Sequence, residues 1–182
     1  MGKIVSFANQ KGGVGKTTSA VNIAASLGVL GYNTLLVDLD PQGNATSGVG
    51  VAKKGLKYTI KDVLMGDCLA NEAIIKTEFE KLSLIPSNMS LAGTEFDLLQ
   101  EDTPEPWAIM RNAFANIKDN YDYIIIDCPP SLGMLTMNYI VCTLLSGLFG
   151  GYQGALNLGD SRIGAVLVMG TINGILYLAG FI

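Results

Sequence analysis

Apolar residues fall into short, nearly unbroken runs, separated by stretches where they recur every three or four positions. The runs IVSFA (4–8), NTLLVDLD (33–40), LSLIPS (82–87) and YDYIIIDCPP (121–130) read as strands buried on both faces. Between the first two, Val21, Ala24, Ala25, Leu27 and Leu30 are spaced as on one face of a helix over 17–30, which Gly31 stops. Further helices are predicted over 59–65, 89–100 and 106–119. Buried strands alternating with helices predict a mainly parallel sheet covered on both sides, a three-layer α/β fold. Right-handed crossovers then bring the strand C-terminal ends to one edge, where ligands bind in such folds.

Three segments follow strands predicted to end at that edge. KGGVGKTT (11–18) comes after the first strand and opens the first helix. Aligned on Gly15-Lys16-Thr17, the standard phosphate-loop pattern would put its first glycine at Gln10, so the strict form is not met. Gly12, Gly13 and Gly15 nevertheless free the backbone to turn N–H groups toward phosphate oxygens, and the helix start adds its positive end. The loop Gly12, Gly13, Val14, Gly15, Lys16, Thr17 and Thr18 is the predicted nucleotide site of a P-loop NTPase. Lys16 is placed for the β- and γ-phosphates and Thr17 for Mg²⁺. Asp127, closing the run YIIID, is the predicted second support for the metal, and Pro129 and Pro130 stop that strand.

The third segment is DLDPQGN (38–44), where Pro41 and Gly43 predict a turn. Asp38 and Asp40 stand at i and i+2, which on a strand end point the same way. Asp40 is the candidate to orient an attacking water; Asp38 supports metal-bound water or the structure itself. A loop of this kind can respond to the γ-phosphate.

Composition changes this picture only in places. The 182 residues fit one domain by default, and a net charge of −4 gives no global basic signal for nucleic acid. Three scattered cysteines, Cys68, Cys128 and Cys142, suit a reducing cytoplasm better than a disulfide or zinc framework. The start Met-Gly-Lys leads straight into a strand, with no signal peptide. From Cys128 to Ile182 only Asp160 and Arg162 are charged, and glycine is dense. Residues 1–139 therefore read as the P-loop core, and 140–182 as an apolar, glycine-rich tail.

Together KGGVGKTT, LLVDLDPQGNATSG, LSLIPSNMSLAGTEFDL and YDYIIIDCPPSLGMLTMN resemble the ParA/Soj group of the ParA/MinD ATPases, over about residues 1–139. The resemblance implies an ATPase that uses ATP and Mg²⁺, forms an ATP-dependent homodimer, and works with a ParB-like partner in chromosome or plasmid segregation. It implies weak activity stimulated by that partner. It also implies a role for Lys11, the loop's second lysine, which in the family reaches across the dimer to the partner's nucleotide. Such a cation stabilises developing charge as an arginine finger does. The group also binds DNA nonspecifically through basic C-terminal surfaces.

After LTMN the sequence departs from the family pattern, and neither an adenine-contacting segment nor a basic surface is recognisable. Three readings of the tail stand. It completes the core, with AVLVM (165–169) and ILYLA (175–179) as strands. It forms a membrane hairpin of spans 139–158 and 163–182, separated by GDSR and carrying G-x-x-x-G spacings. Or it is foreign sequence. The expected location is cytoplasmic, with membrane association possible through 139–182. A membrane-anchored nucleotide-binding scaffold is thus the alternative function. A small-molecule kinase is a third, disfavoured because Arg111 is the first region's only arginine.

Overall fold

The computed structural model describes residues 2–100, 105–131, 133–143, 165–168 and 177–179. Seven strands form one sheet: β1 (Lys3–Ala8), β2 (Thr34–Asp38), β3 (Ile75–Lys76), β4 (Leu82–Ile85), β5 (Tyr123–Asp127), β6 (Ala165–Val168) and β7 (Tyr177–Ala179). Their order is β3-β4-β2-β5-β1-β6-β7. The five central strands are parallel, and β3 and β7 run antiparallel at the two edges. The expected mainly parallel α/β fold is the one observed.

Alternate residues of the central strands feed two separate cores, as the two-residue period of a strand requires. Phe7, Leu36, Leu84 and Ile125 pack beneath helix α1 (Lys16–Val29) and the short α2 (Asn44–Gly48). Ile4, Leu35, Val37, Ile124 and Ile126 face the other layer. That layer holds α3 (Ile60–Leu64), α4 (Thr94–Gln100), α5 (Ile109–Phe114) and a helix over 134–143, here α6. The result is three layers.

The buried stripe of α1 is Lys16, Ala20, Ala24 and Gly28, not the larger apolar residues whose spacing marked the helix; Leu30 is exposed. Small side chains let α1 lie close to the sheet. A Cβ on Gly28 would come within 2.3 Å of the Glu80 carbonyl oxygen. The helix ends at Gly31 as expected, through a Schellman motif in which Gly31 N–H donates to Gly28 O and Tyr32 N–H to Leu27 O.

Two predicted helices are interrupted. Over 89–100, Gly93 at φ +91° separates a 3₁₀ turn, Met89–Leu91, from α4. Over 106–119, a 3₁₀ turn led by Pro106 precedes α5, and a second follows at Lys118–Asn120. Strands β2, β4 and β5 are also shorter than their apolar runs: β2 ends at Asp38 and β5 at Asp127.

Helix α6 runs across the 139/140 boundary between the expected core and tail. It is tied to the first region on both sides of that point. Asn138, fully buried, accepts the Met110 N–H at 3.0 Å and donates to Pro106 O at 2.8 Å and Met134 O at 3.1 Å. Thr143 donates to Tyr139 O, so its 2.7 Å contact with Ser6 of β1 has Ser6 as donor. In the tail, β6 pairs with β1 and lies within AVLVM, while β7 lies within ILYLA. The rest of both proposed membrane spans beyond residue 143, and the GDSR turn, fall outside the described residues, but these strand segments are not helical. Among the described residues no helix is long and apolar enough to cross a membrane.

Candidate functional site

Strands β1, β2 and β5 end side by side, and the loops that follow carry the predicted site residues. Gly13 at φ +71° and Gly15 at φ +88° take the left-handed conformation that glycine alone adopts freely. A Cβ on Gly12, Gly13 or Gly15 would meet nothing within 4 Å, so the loop stands in open space at these positions. Gly15 is the N-cap of α1, with no side-chain cap and no acidic residue in the first turn. The first N–H groups of this 14-residue helix are thus left for an anion.

Lys16, Thr17 and Thr18 form that first turn. Lys16 is largely buried, with 7% exposure, and its Nζ lies 3.4 Å from the Lys11 carbonyl oxygen. Lys11 itself is exposed, and its N–H donates to Asn9 Oδ1 at 2.9 Å. Val14 is half-buried in the loop between them.

Asp127 is fully buried, and neither carboxylate oxygen has a donor at good hydrogen-bond geometry, although the Thr17 hydroxyl lies near enough to lower its pKa. Burial, followed by the negative charges of Asp38 and Asp40, pushes its pKa up to about 7, against the opposing pull of the nearby Thr17 hydroxyl and Lys16 ammonium. Unpartnered buried oxygens are rare in proteins and call for a donor or a cation. Here they adjoin a threonine hydroxyl and an open anion cradle. No cluster of three or more His, Cys, Asp or Glu able to hold a metal occurs among the described residues. Mg²⁺ keeps several waters and takes one or two protein ligands beside substrate phosphates. The residues present therefore fit Mg²⁺ in company with a nucleotide.

Asp38 is equally buried, and protein donors occupy both its oxygens. Thr46 donates to Oδ2 from its backbone N–H and its hydroxyl, both at 2.7 Å, and Asp40 N–H donates to Oδ1 at 3.1 Å. Burial still pushes its pKa up. Asp40 lies beyond the strand rather than on it, is half-buried, and accepts the Gln42 N–H at 2.8 Å. The turn at 40–43 is closed by Gly43 N–H to Asp40 O, and Lys53 Nζ donates to Gln42 O at 2.8 Å. Gly43 is required at φ +62°, where a Cβ would strike Lys53 and the Ser87 carbonyl oxygen.

Thr46 belongs to no sequence motif of its own. Its hydroxyl donates to Asp38 and accepts from Ser87 N–H at 2.9 Å, so it joins the loop after β2 to the segment after β4. Its only trace in the sequence is its place in the run NATSG following the turn.

The AAA domain family matches residues 2–143. The chain is 48% identical over 143 residues to the sporulation initiation inhibitor protein Soj of Bacillus subtilis, covering 79% of this chain and 56% of that protein. It is 47% identical over 138 residues to the chromosome partitioning protein ParA of Myxococcus xanthus, covering 76% and 48%. Among solved structures, it resembles cobyrinic acid a,c-diamide synthase from Mycobacterium smegmatis with bound ATP analogue and magnesium. That match has a TM-score of 0.75 and 31% identity, and covers 92% of this chain and 75% of the other. The chain spans about half the length of the curated relatives it matches.

Proposed function

The chain belongs to the AAA domain family, as a member of the ParA/Soj type, and on that premise we propose that it is a Mg²⁺-dependent ATPase of chromosome or plasmid partition. The observation that carries this is the pairing of an open glycine cradle, which holds a buried lysine, with a buried aspartate whose oxygens lack partners.

In this reading the N–H groups of Gly12 to Thr18 cradle the phosphates, and Lys16 reaches the β- and γ-phosphates. The hydroxyl of Thr17 and the carboxylate of Asp127 would hold Mg²⁺, which would supply positive charge to stabilise the phosphates. Asp40 orients a water in line with the γ-phosphorus. The water–phosphorus bond forms as the bond to the β-phosphate oxygen breaks. Asp38, with both oxygens engaged, fixes the loop that presents Asp40. The exposed Lys11 reaches the nucleotide of a second copy of the chain, so dimerisation depends on the nucleotide. A ParB-like partner stimulates turnover.

Size-exclusion chromatography with light scattering, with ATP and Mg²⁺ present, tests the dimer. The Lys11→Ala variant is expected to bind ATP yet stay monomeric, and Asp40→Ala to accumulate as an ATP-bound dimer. An ATP-dependent Lys11→Ala dimer would refute the role across the interface, and a monomeric Asp40→Ala would refute the role in positioning water.

A further inference from the structure

Asp127 is the last residue of β5, so the sheet holds it on one side and the loop that follows holds it on the other. Cys128 N–H makes a further bond to β1, donating to Phe7 O at 3.2 Å. Pro129 and Pro130 have no N–H to give, and the next anchor is Ser131. Its carbonyl oxygen accepts the Thr136 hydroxyl at 2.8 Å, and the same hydroxyl accepts Gly133 N–H at 3.3 Å. The loop after the metal strand is thus tied to the first turn of α6.

That turn is held in place from a different element. Glu95 of α4 is half-buried, and its Oε1 accepts Leu135 N–H at 3.3 Å. A carboxylate there satisfies one of the first N–H groups of α6 and complements the positive end of the helix. The approach is close enough to leave no room for a side chain at Gly133, where a Cβ would strike the Glu95 carboxylate.

We infer that Glu95 is a positioning residue for the metal support: by holding the first turn of α6 it fixes the loop after β5, and with it the place of the Asp127 carboxylate. This rests on the proposed Mg²⁺ site, in which Asp127 takes part. Glu95 acts through Leu135, Thr136 and Ser131 rather than on the nucleotide.

The test is calorimetric titration of the whole chain with ATP, in Mg²⁺ and in chelator. The proteins are wild type, Glu95→Ala, Glu95→Gln, Gly133→Ala and the double variant of Glu95→Ala with Gly133→Ala. The ratio of the two affinities isolates what the metal contributes. Glu95→Ala is expected to cut that ratio about tenfold or more, while the affinity in chelator, which rests on the cradle, changes far less. Glu95→Gln keeps an acceptor for Leu135 N–H and is expected to retain most of the ratio. Gly133→Ala drives a methyl group against Glu95, and is expected to lower the ratio when Glu95 is present but no further in the Glu95→Ala background. A general loosening of the fold would instead weaken ATP equally with and without the metal. If every variant that folds keeps the wild-type ratio, whatever its affinity, Glu95 only supports the fold and the inference is overturned. Wild type whose ATP affinity does not depend on Mg²⁺ would overturn the proposed metal site itself, and this inference with it.

Discussion

Asp38 and Asp127 stand directly opposite each other in the register of two neighbouring parallel strands, both fully buried, yet Asp38 is held by three hydrogen bonds while Asp127 has only the pull of the nearby Thr17 hydroxyl and makes no bond of good geometry. Two carboxylates at adjacent strand ends repel, and an interior with low polarity sharpens the repulsion. The loop after β2 satisfies Asp38. Asp127 keeps its electrostatic burden until something cationic arrives.

That burden has a pH signature. The pKa of Asp127 is raised from 3.8 to about 7 in the folded chain, so between those values the folded state holds a proton that the unfolded state has lost. The contribution of Asp127 to stability therefore falls as pH rises from about 4 to 7, and remains low above that. Asp127→Asn, neutral at every pH, is expected to raise the melting temperature of the nucleotide-free chain at pH 8 more than at pH 5. Melting curves of both proteins across this range check it. An equal difference at both pH values would show that Asp127 is not strained by its charge.

Thr46 is expected to matter for stability as well as for the loop. Thr46→Val removes a hydroxyl that donates to buried Asp38 and accepts from Ser87 N–H. Leaving buried groups unpaired in this way costs about 1–3 kcal/mol. Thr46→Ser keeps the hydroxyl and should lose less. Urea unfolding of the two variants decides this, with equal loss in both pointing to the methyl group instead.

Much of this arrangement was legible in the sequence because strands, glycines and prolines signal locally. The runs before Asp38 and Asp127 gave the strand positions, and the spacing in KGGVGKTT gave the cradle and Lys16. What escaped depends on contacts distant in the chain. Helix α6 looks like an apolar stretch until Asn138 is seen bonded to Met110 and Pro106. Thr46 carries no motif, because its meaning comes from Ser87, 41 residues away. Strand β3, two residues long, exists only through its pairing with β4. The large apolar residues of α1 pointed to a helix but not to its buried stripe, since close packing on a sheet selects alanine and glycine.

DNA binding by this chain is expected to be weak. Nonspecific binding rests on Lys and Arg releasing counterions from phosphates, and beyond Lys118 the sequence holds only Arg162. Of the first region's lysines, Lys53 is engaged with Gln42 O, and Lys57 lies 4.8 Å from the Tyr58 ring centre. Mobility-shift titration with ATP at low and moderate salt is expected to show little retention. Tight, ATP-dependent binding with a steep salt slope would mean that these lysines gather on one surface.

The cradle around Lys16 is the proposed site for ATP with Mg²⁺. Calorimetric titration of the chain with ATP, in Mg²⁺ and then in chelator, alongside Lys16→Ala, tests it most directly. The expected result is saturable binding by the wild type, weakened by chelation and abolished in Lys16→Ala, because the proposed site makes Lys16 the main cation on the β- and γ-phosphates. Equal ATP affinity in wild type and Lys16→Ala would contradict the account.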